Sequence, residues 1–216
     1  MRLGFFGGTF DPPHLGHVAV AQAAVDQFAL NSILWVPAGR QPLKGDGRAA
    51  RFEDRVAMVE ATCELSPRFH LSLLDAPKEN GSANFTVDTL RHLRAEMPKA
   101  EVYAIAGADS FAALGQWKEP AALLELAEWI VVSRPGFQLT QPAGLTLTPN
   151  KQARIHLLDC VHEDVSATAL RARLARGERC DNVLAPGVMA YIDRHGMYGD
   201  TRTGVEVGRG FPAETS

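Results

Sequence analysis

A chain of 216 residues with 46% hydrophobic and 22% charged side chains is long enough for one well-buried α/β domain with at most a small appendage, and its ordinary composition excludes a disordered or fibrous protein. A formal net charge of −3 and a pI near 6.2 leave no broad basic face for nucleic acid or an anionic membrane, so any phosphate binding has to be local. No window of about 18 apolar residues exists, and Asp11 interrupts the N-terminal apolar run before a signal-peptide core forms, so the cytoplasm is the expected location.

Leu3 to Phe6 reads as a strand and the alanine- and valine-rich stretch Val18 to Phe28 as a helix. Between them runs Gly7-Gly8-Thr9-Phe10-Asp11-Pro12-Pro13-His14-Leu15-Gly16-His17. Two glycines after a strand let the backbone take positive φ and let a ligand approach main-chain N–H groups, while the helix start offers unpaired donors and the positive dipole end. That geometry suits phosphate. His14 and His17 stand three apart on one face and point toward the same anion, with Gly16 removing the side chain that would crowd them. Zinc ligation is the competing use, but no third His, Cys or Asp stands at helical spacing beyond them. A structural turn with incidental histidines is the other.

This stretch resembles the (T/S)-F-D-P-x-H-x-G-H signature of the nucleotidyltransferases, which join a nucleoside monophosphate to a phosphorylated acceptor and release pyrophosphate. Ser32 to Val36 is next, an apolar run expected to be a strand parallel to the first. Pro37 to Ala50 is a Gly-, Pro- and Arg-containing loop, and the resemblance implies that its Lys44 carries positive charge to the triphosphate. The family often has a histidine just before that position, where this chain has Leu43, and a solvated surface lysine is the alternative.

Arg51 to Leu65 reads as a helix burying Phe52, Val56, Val59 and Cys63, and Phe69 to Leu74 as a third strand. Asn84-Phe85-Thr86-Val87-Asp88-Thr89-Leu90 opens another helix, with Asn84 or Thr86 as its N-cap. The segment is similar to the (S/N)-(Y/F)-T-x-x-T-L run of one branch, the bacterial nicotinate mononucleotide adenylyltransferases, which implies that Thr86 lies against the nicotinate. Glu101 to Ala106 is a fourth strand ending in Gly107-Ala108-Asp109-Ser110, where a carboxylate at the carboxyl end of a parallel strand suits a ribose hydroxyl or a metal-bound water. Asp109 matches the family's G-x-D, with N-capping alone as the alternative. Trp117 follows in a polar, proline-terminated loop; a packing role competes with a stacking platform, and the branch resemblance implies stacking on the nicotinate ring.

Leu123 to Leu126 ends a short helix, Trp129 to Val132 is a fifth strand, and the Ser133-Arg134-Pro135-Gly136 run after it also matches the branch, implying that Arg134 contacts substrate phosphate. Phe137 to Lys151 is read as an irregular connection and Ile155 to Leu158 as the last strand. Val165-Ser166-Ala167-Thr168-Ala169-Leu170-Arg171 opens a helix on which Ser166 and Thr168 can cap and Arg171 adds a fixed positive charge. It resembles the family's second signature, (I/V)-S-(S/A)-T-x-(I/L)-R, which grips the ATP phosphates. Pro186 to His195 is a final helix with Pro at its start and Gly196 after its end. Cys63, Cys160 and Cys180 are odd in number, widely spaced and without a C-x-x-C, which argues against a disulfide framework or a thiolate metal site.

The resemblance extends from Leu3 to about Tyr198. It implies a Rossmann-like, doubly wound parallel α/β sheet with helices on both faces in one domain over 1–199, while 200–216, Gly-, Thr- and Glu-rich without an apolar period, reads as a flexible C-terminal tail. It also implies transfer of the adenylyl group of ATP to nicotinate mononucleotide in NAD biosynthesis. In that reading His17, protonated or donating, binds the α-phosphate with His14 beside it. Lys44 and Arg171 hold the β and γ groups, helped by Mg²⁺ carried on the ATP phosphates and not by protein ligands. Gly7, Gly8, Thr9, Phe10, Ser166 and Thr168 complete the cradle, and Thr86, Trp117 and nearby backbone amides select the pyridine carboxylate. No nucleic-acid or membrane partner is implied, and homo-oligomerisation stays open. Phosphopantetheine adenylyltransferase shares both signatures but leaves the Thr86 and Trp117 segments unexplained. A catalytically silent nucleotide-binding regulator is a further alternative, although both histidines and Arg171 are in place.

Overall fold

The computed structural model describes residues 1–39, 50–133, 142, 144–158 and 166–199. The apolar runs become β1 (Arg2–Gly8), β2 (Ser32–Pro37), β3 (Phe69–Leu71), β4 (Glu101–Gly107), β5 (Glu128–Val132) and β6 (Ile155–Leu158). They form one six-stranded sheet in the order β3-β2-β1-β4-β5-β6, and every neighbouring pair is parallel. This is the expected doubly wound sheet. The chain winds outward from β1 through β2 to β3 and then returns to β4 on the other side of β1, so the topological switch point lies between β1 and β4.

The period of two along the strands decides which face each side chain enters. Leu3, Phe5, Val102, Ala104, Trp129 and Val131 point to one side, where α3 (Thr86–Glu96), α4 (Ala108–Ala112) and α5 (Pro120–Leu126) cover them with Val87, Leu90, Leu93, Phe111, Leu123 and Leu124. Phe6, Ile33, Trp35, Tyr103, Ile105 and Ile130 point to the other, beneath α1 (Leu15–Phe28) and α2 (Phe52–Cys63). A third apolar cluster joins Met58 of α2 to α7 (Ala167–Ala175) and α8 (Pro186–His195) through Leu170, Leu174, Val188, Met189 and Ile192.

Four local expectations need correction. The buried face of α2 is Arg55, Met58, Val59 and Thr62, while Phe52, Val56 and Cys63 are only partly covered. The helix is turned because α8 packs on it and because Arg55 finds acceptors inside, the carbonyls of Thr9 at 2.8 Å and Ala50 at 3.2 Å. β3 stops at Leu71, since Ser72 makes its N–H bond to Trp35 O and then accepts from Leu74 N–H with its hydroxyl, turning the chain off the sheet edge. α3 is capped by Phe85 in extended conformation, with Asn84 outside the helix and Thr86 as its first residue. At the end of the expected irregular connection begins a single helical turn, α6 (Pro149–Gln152), too short to show a period but opened by a proline at its first position.

α8 runs over the expected residues and closes on Gly196 in the left-handed region, φ 57°. Cys63 and Cys180 are free thiols, and burial pushes that of Cys63 up to about 12, which makes it unreactive. Among the described residues no helix is long and apolar enough to cross a membrane.

Candidate active site

At the carboxyl edge of the sheet, beside the switch point, β1 runs into α1 through the histidine-bearing turn. The glycine pair does not use the positive φ open to it; that conformation belongs to Phe10, φ 51°. The consequence for Gly8 is steric. A Cβ there would stand 2.9 Å from the Phe10 ring, so glycine lets that ring fold back under the turn. Phe10 is 2% exposed and packs edge-on to His17 at 5.2 Å between ring centres and against Phe6 and Trp35. Its ring is a floor for the histidine.

His14 is the N-cap of α1 and His17 its third residue, and their rings lie 3.7 Å apart at 31°. The backbone N–H of His14 donates to His17 Nδ1 at 3.1 Å. That bond selects a tautomer: Nδ1 accepts, so the proton of neutral His17 is on Nε2, which becomes a donor. Burial pulls the pKa of His14 down to about 4, and burial together with the neighbouring His14 holds that of His17 well below the ordinary 6.5. Of the two forms expected for His17, protonated or donating, burial beside His14 favours the neutral donor. Among the described residues the buried Nδ1 of His14 has no hydrogen-bond partner.

These depressed values fix the sign of a pH effect. Between pH 6.5 and 4 the unfolded chain takes up protons that the folded site refuses, so stability is unaffected above pH 6.5 and falls as the pH drops toward 4. His14 alone, at about 4, accounts for about 2 kcal/mol of loss between pH 7 and 4.5. His14→Asn is therefore expected to show a smaller drop in urea midpoint over that interval than the unsubstituted chain; parallel curves would contradict the burial of a neutral imidazole.

α7 brings the second cluster. Ser166 caps it, its hydroxyl accepting from Ala169 N–H at 3.5 Å. Thr168 is inside the first turn, where its hydroxyl accepts from Arg171 Nη2 at 3.3 Å. Arg171 Nη1 donates to the carbonyl of Asp11 at 2.8 Å and lies 3.5 Å from its Oδ2, so the two signature segments meet at Asp11, which is 3% exposed.

The remaining described candidates lie on the other side of the same edge. Gly8 O accepts from Ala38 N–H at 2.8 Å, Gly39 N–H donates to Asp75 O at 2.8 Å, and Thr89 of α3 donates its hydroxyl to Asp75 Oδ1 at 2.7 Å. This relay ties the β1 turn to the start of α3. A Cβ on Gly39 would stand 2.6 Å from Asp75 O, so the strand-end crossing admits glycine only. Burial raises the Asp75 carboxyl above the usual range, opposed by the Thr89 bond.

Trp117 follows a 3₁₀ turn at Leu114–Gln116 and is half-buried, edge-on to Trp129 at 6.3 Å. Its neighbours fasten it to α3, Lys118 to Asp88 at 2.9 Å with its ammonium 4.7 Å over the Phe85 ring, and Glu119 to Arg91 at 2.5 Å. Thr86 and Trp117 are thus held on adjoining segments. Asp109 is exposed in the first turn of α4, just past the end of β4.

Lys44 and Arg134 lie outside the described residues. Asp11, Arg55, Asp75 and Tyr198 are the participants that sequence reasoning did not single out. Asp11 was legible only as a letter of the signature. Arg55 had a signal in its i, i+3, i+4, i+7 spacing with Met58, Val59 and Thr62.

Comparison with known proteins agrees with this geometry. The cytidylyltransferase-like family model matches residues 5–173. A probable nicotinate-nucleotide adenylyltransferase of Roseiflexus sp. (strain RS-1) is 37% identical over 196 residues, covering 91% of this chain and 97% of that protein. One of Geobacillus kaustophilus is 35% identical over 204 residues, covering 94% and 88%. In fold, the chain is similar to Plasmodium falciparum nicotinic acid mononucleotide adenylyltransferase complexed with NaAD, with a TM-score of 0.70, 17% identity and coverage of 91% and 97%.

Proposed function

The chain belongs to the cytidylyltransferase-like family, among the nicotinate-nucleotide adenylyltransferases, and we propose that it transfers the adenylyl group of ATP to nicotinate mononucleotide, giving nicotinate adenine dinucleotide and pyrophosphate. The observation that carries the reading is the meeting of a paired-histidine helix start and Arg171 at one buried aspartate, on the carboxyl edge of the sheet.

No protein nucleophile is required. A 5′-phosphate oxygen of the mononucleotide attacks the α-phosphorus of ATP; the new P–O bond forms as the bond to the β-phosphate bridge breaks, and pyrophosphate leaves with the electron pair. The enzyme's part is alignment and neutralisation. Neutral His17 donates from Nε2 to a non-bridging α-phosphate oxygen, with His14 stacked beside it. Arg171 holds the departing phosphates, its guanidinium oriented by Asp11 and Thr168. Lys44 is assigned to the same phosphates and Arg134 to the acceptor phosphate by sequence alone. Ser166, the Thr9 segment and the amides of Gly7, Gly8 and Phe10 line the cradle.

Magnesium fits as the counter-ion of ATP. The imidazoles, guanidinium and hydroxyls gathered here bind phosphate oxygens, and the Asp11 carboxylate is already engaged by Tyr198, Ala50 and Arg171, whereas magnesium prefers oxygen ligands and retains waters. The ion would supply charge neutralisation on the leaving pyrophosphate. Asp109 suits a ribose hydroxyl, and Thr86 with Trp117 suits the pyridine ring and its carboxylate.

The test is pyrophosphate release from ATP and Mg²⁺ with nicotinate mononucleotide, nicotinamide mononucleotide and phosphopantetheine in parallel. The expected result is strong preference for the first, since the amide forfeits one charge-assisted hydrogen bond, about tenfold or more in kcat/KM. Equal use of both pyridines would remove the selectivity assigned to Thr86 and Trp117. Activity on phosphopantetheine alone would overturn the reading.

A further inference from the structure

Beyond the cap of α8 the chain makes a second left-handed turn, at Tyr198, φ 63°, a conformation L side chains rarely adopt. It brings the phenol to a residue 187 positions earlier: Tyr198 Oη donates to Asp11 Oδ1 at 2.7 Å. The same oxygen accepts from Ala50 N–H at 3.2 Å, so both lone pairs of Oδ1 are engaged. Burial and the Asp11 carboxylate push the phenol well above its ordinary pKa, which keeps it a donor. Only Oδ2 is left to face Arg171, and it does so as an ion pair at 3.5 Å and not as a hydrogen bond.

The chain contains its own contrast. Tyr191 of α8 donates to Asp54 Oδ1 at 3.0 Å, but among the described residues no backbone N–H is seen on that oxygen, and Arg51 hydrogen-bonds both oxygens of Asp54, Nε to Oδ2 at 3.1 Å and Nη2 to Oδ1 at 3.5 Å. Where a lone pair of the carboxylate stays available, the guanidinium takes it. At Asp11 it does not, and Arg171 spends Nη1 on the Asp11 carbonyl and Nη2 on Thr168. A guanidinium has five N–H groups, so these two bonds leave others for a ligand.

We propose that Tyr198 is a positioning residue for ATP binding: by saturating Asp11 Oδ1 together with Ala50 N–H, its hydroxyl prevents Asp11 from closing as a fork on Arg171 and keeps the guanidinium available to the phosphates. This rests on the reading of Arg171 as a phosphate-binding group.

The test compares the full chain with Tyr198→Phe, Tyr191→Phe, Arg171→Ala and the Tyr198→Phe/Arg171→Ala pair, measuring the Kd of Mg–ATP by calorimetry and the kinetics of pyrophosphate release. Tyr198→Phe is expected to weaken Mg–ATP three- to tenfold and to leave KM for nicotinate mononucleotide within twofold. Tyr191→Phe is expected to leave both unchanged, and in the Arg171→Ala background the loss of the hydroxyl should change ATP affinity less than twofold. The proposal is overturned if Tyr198→Phe binds Mg–ATP as the unsubstituted chain does, if its loss persists undiminished without Arg171, or if both substrates weaken together. A chain that binds Mg–ATP but releases no pyrophosphate with nicotinate mononucleotide would end the functional reading, with the Kd series still deciding on Tyr198. A chain that binds no Mg–ATP would end both.

Discussion

His17→Ala is expected to lower kcat by about 10²–10³-fold, the loss of one preorganised donor to a developing phosphate charge, or roughly 3–4 kcal/mol of barrier. The substitution also removes the acceptor for the His14 N–H and the imidazole above Phe10, so stability should fall by about 1 kcal/mol, as for a lost helix cap. The two effects separate with a second variant. Glutamine at the third helical position can reach back to the N-cap N–H, so His17→Gln should recover most of the stability while remaining as slow as the alanine variant. Pyrophosphate release at saturating substrates and urea midpoints measure the two quantities, and an alanine variant within fivefold of the normal rate would remove His17 from the chemistry.

That dual dependence shows why the helix start was readable from sequence and its details were not. The run from Gly7 to His17 carries glycines, prolines and two histidines in a spacing that fits a strand-turn-helix phosphate site. The strand is β1, and α1 begins three residues before the expected Val18. The location of the left-handed residue was not legible, because glycine permits positive φ without requiring it; Phe10 takes it because its ring gains a buried aromatic pocket. β2, β4 and β5 were plain as apolar runs buried on both faces, β6 as a shorter run at the sheet edge with Leu157 exposed, and α8 by its proline and glycine. The buried face of α2 was hidden because it depends on the late-arriving α8 and on acceptors for Arg55 in two distant loops. The Asp75–Thr89 and Asp11–Tyr198 bonds span 14 and 187 residues, and no local pattern encodes such pairs.

The second large effect is expected at Arg171. Arg171→Ala should cost about 10²-fold or more in kcat/KM for ATP, since a charge-assisted contact to the leaving phosphates is worth roughly 1.5–3 kcal/mol and strengthens as pyrophosphate departs. KM for nicotinate mononucleotide should change little. Asp11 keeps Tyr198 and Ala50 on Oδ1, so the carboxylate left behind is not orphaned and the stability loss should stay near 1–2 kcal/mol despite its burial. Arg171→Lys separates charge from geometry. One ammonium cannot bond the Asp11 carbonyl, Thr168 and a phosphate in the planar arrangement that the guanidinium spans, so lysine should restore stability before it restores rate. Steady-state kinetics with ATP varied, paired with urea midpoints, distinguish these outcomes. If lysine restored both in full, positive charge alone would account for Arg171; partial rescue of rate with full rescue of stability would place the requirement in the fork that Asp11 and Thr168 hold in register.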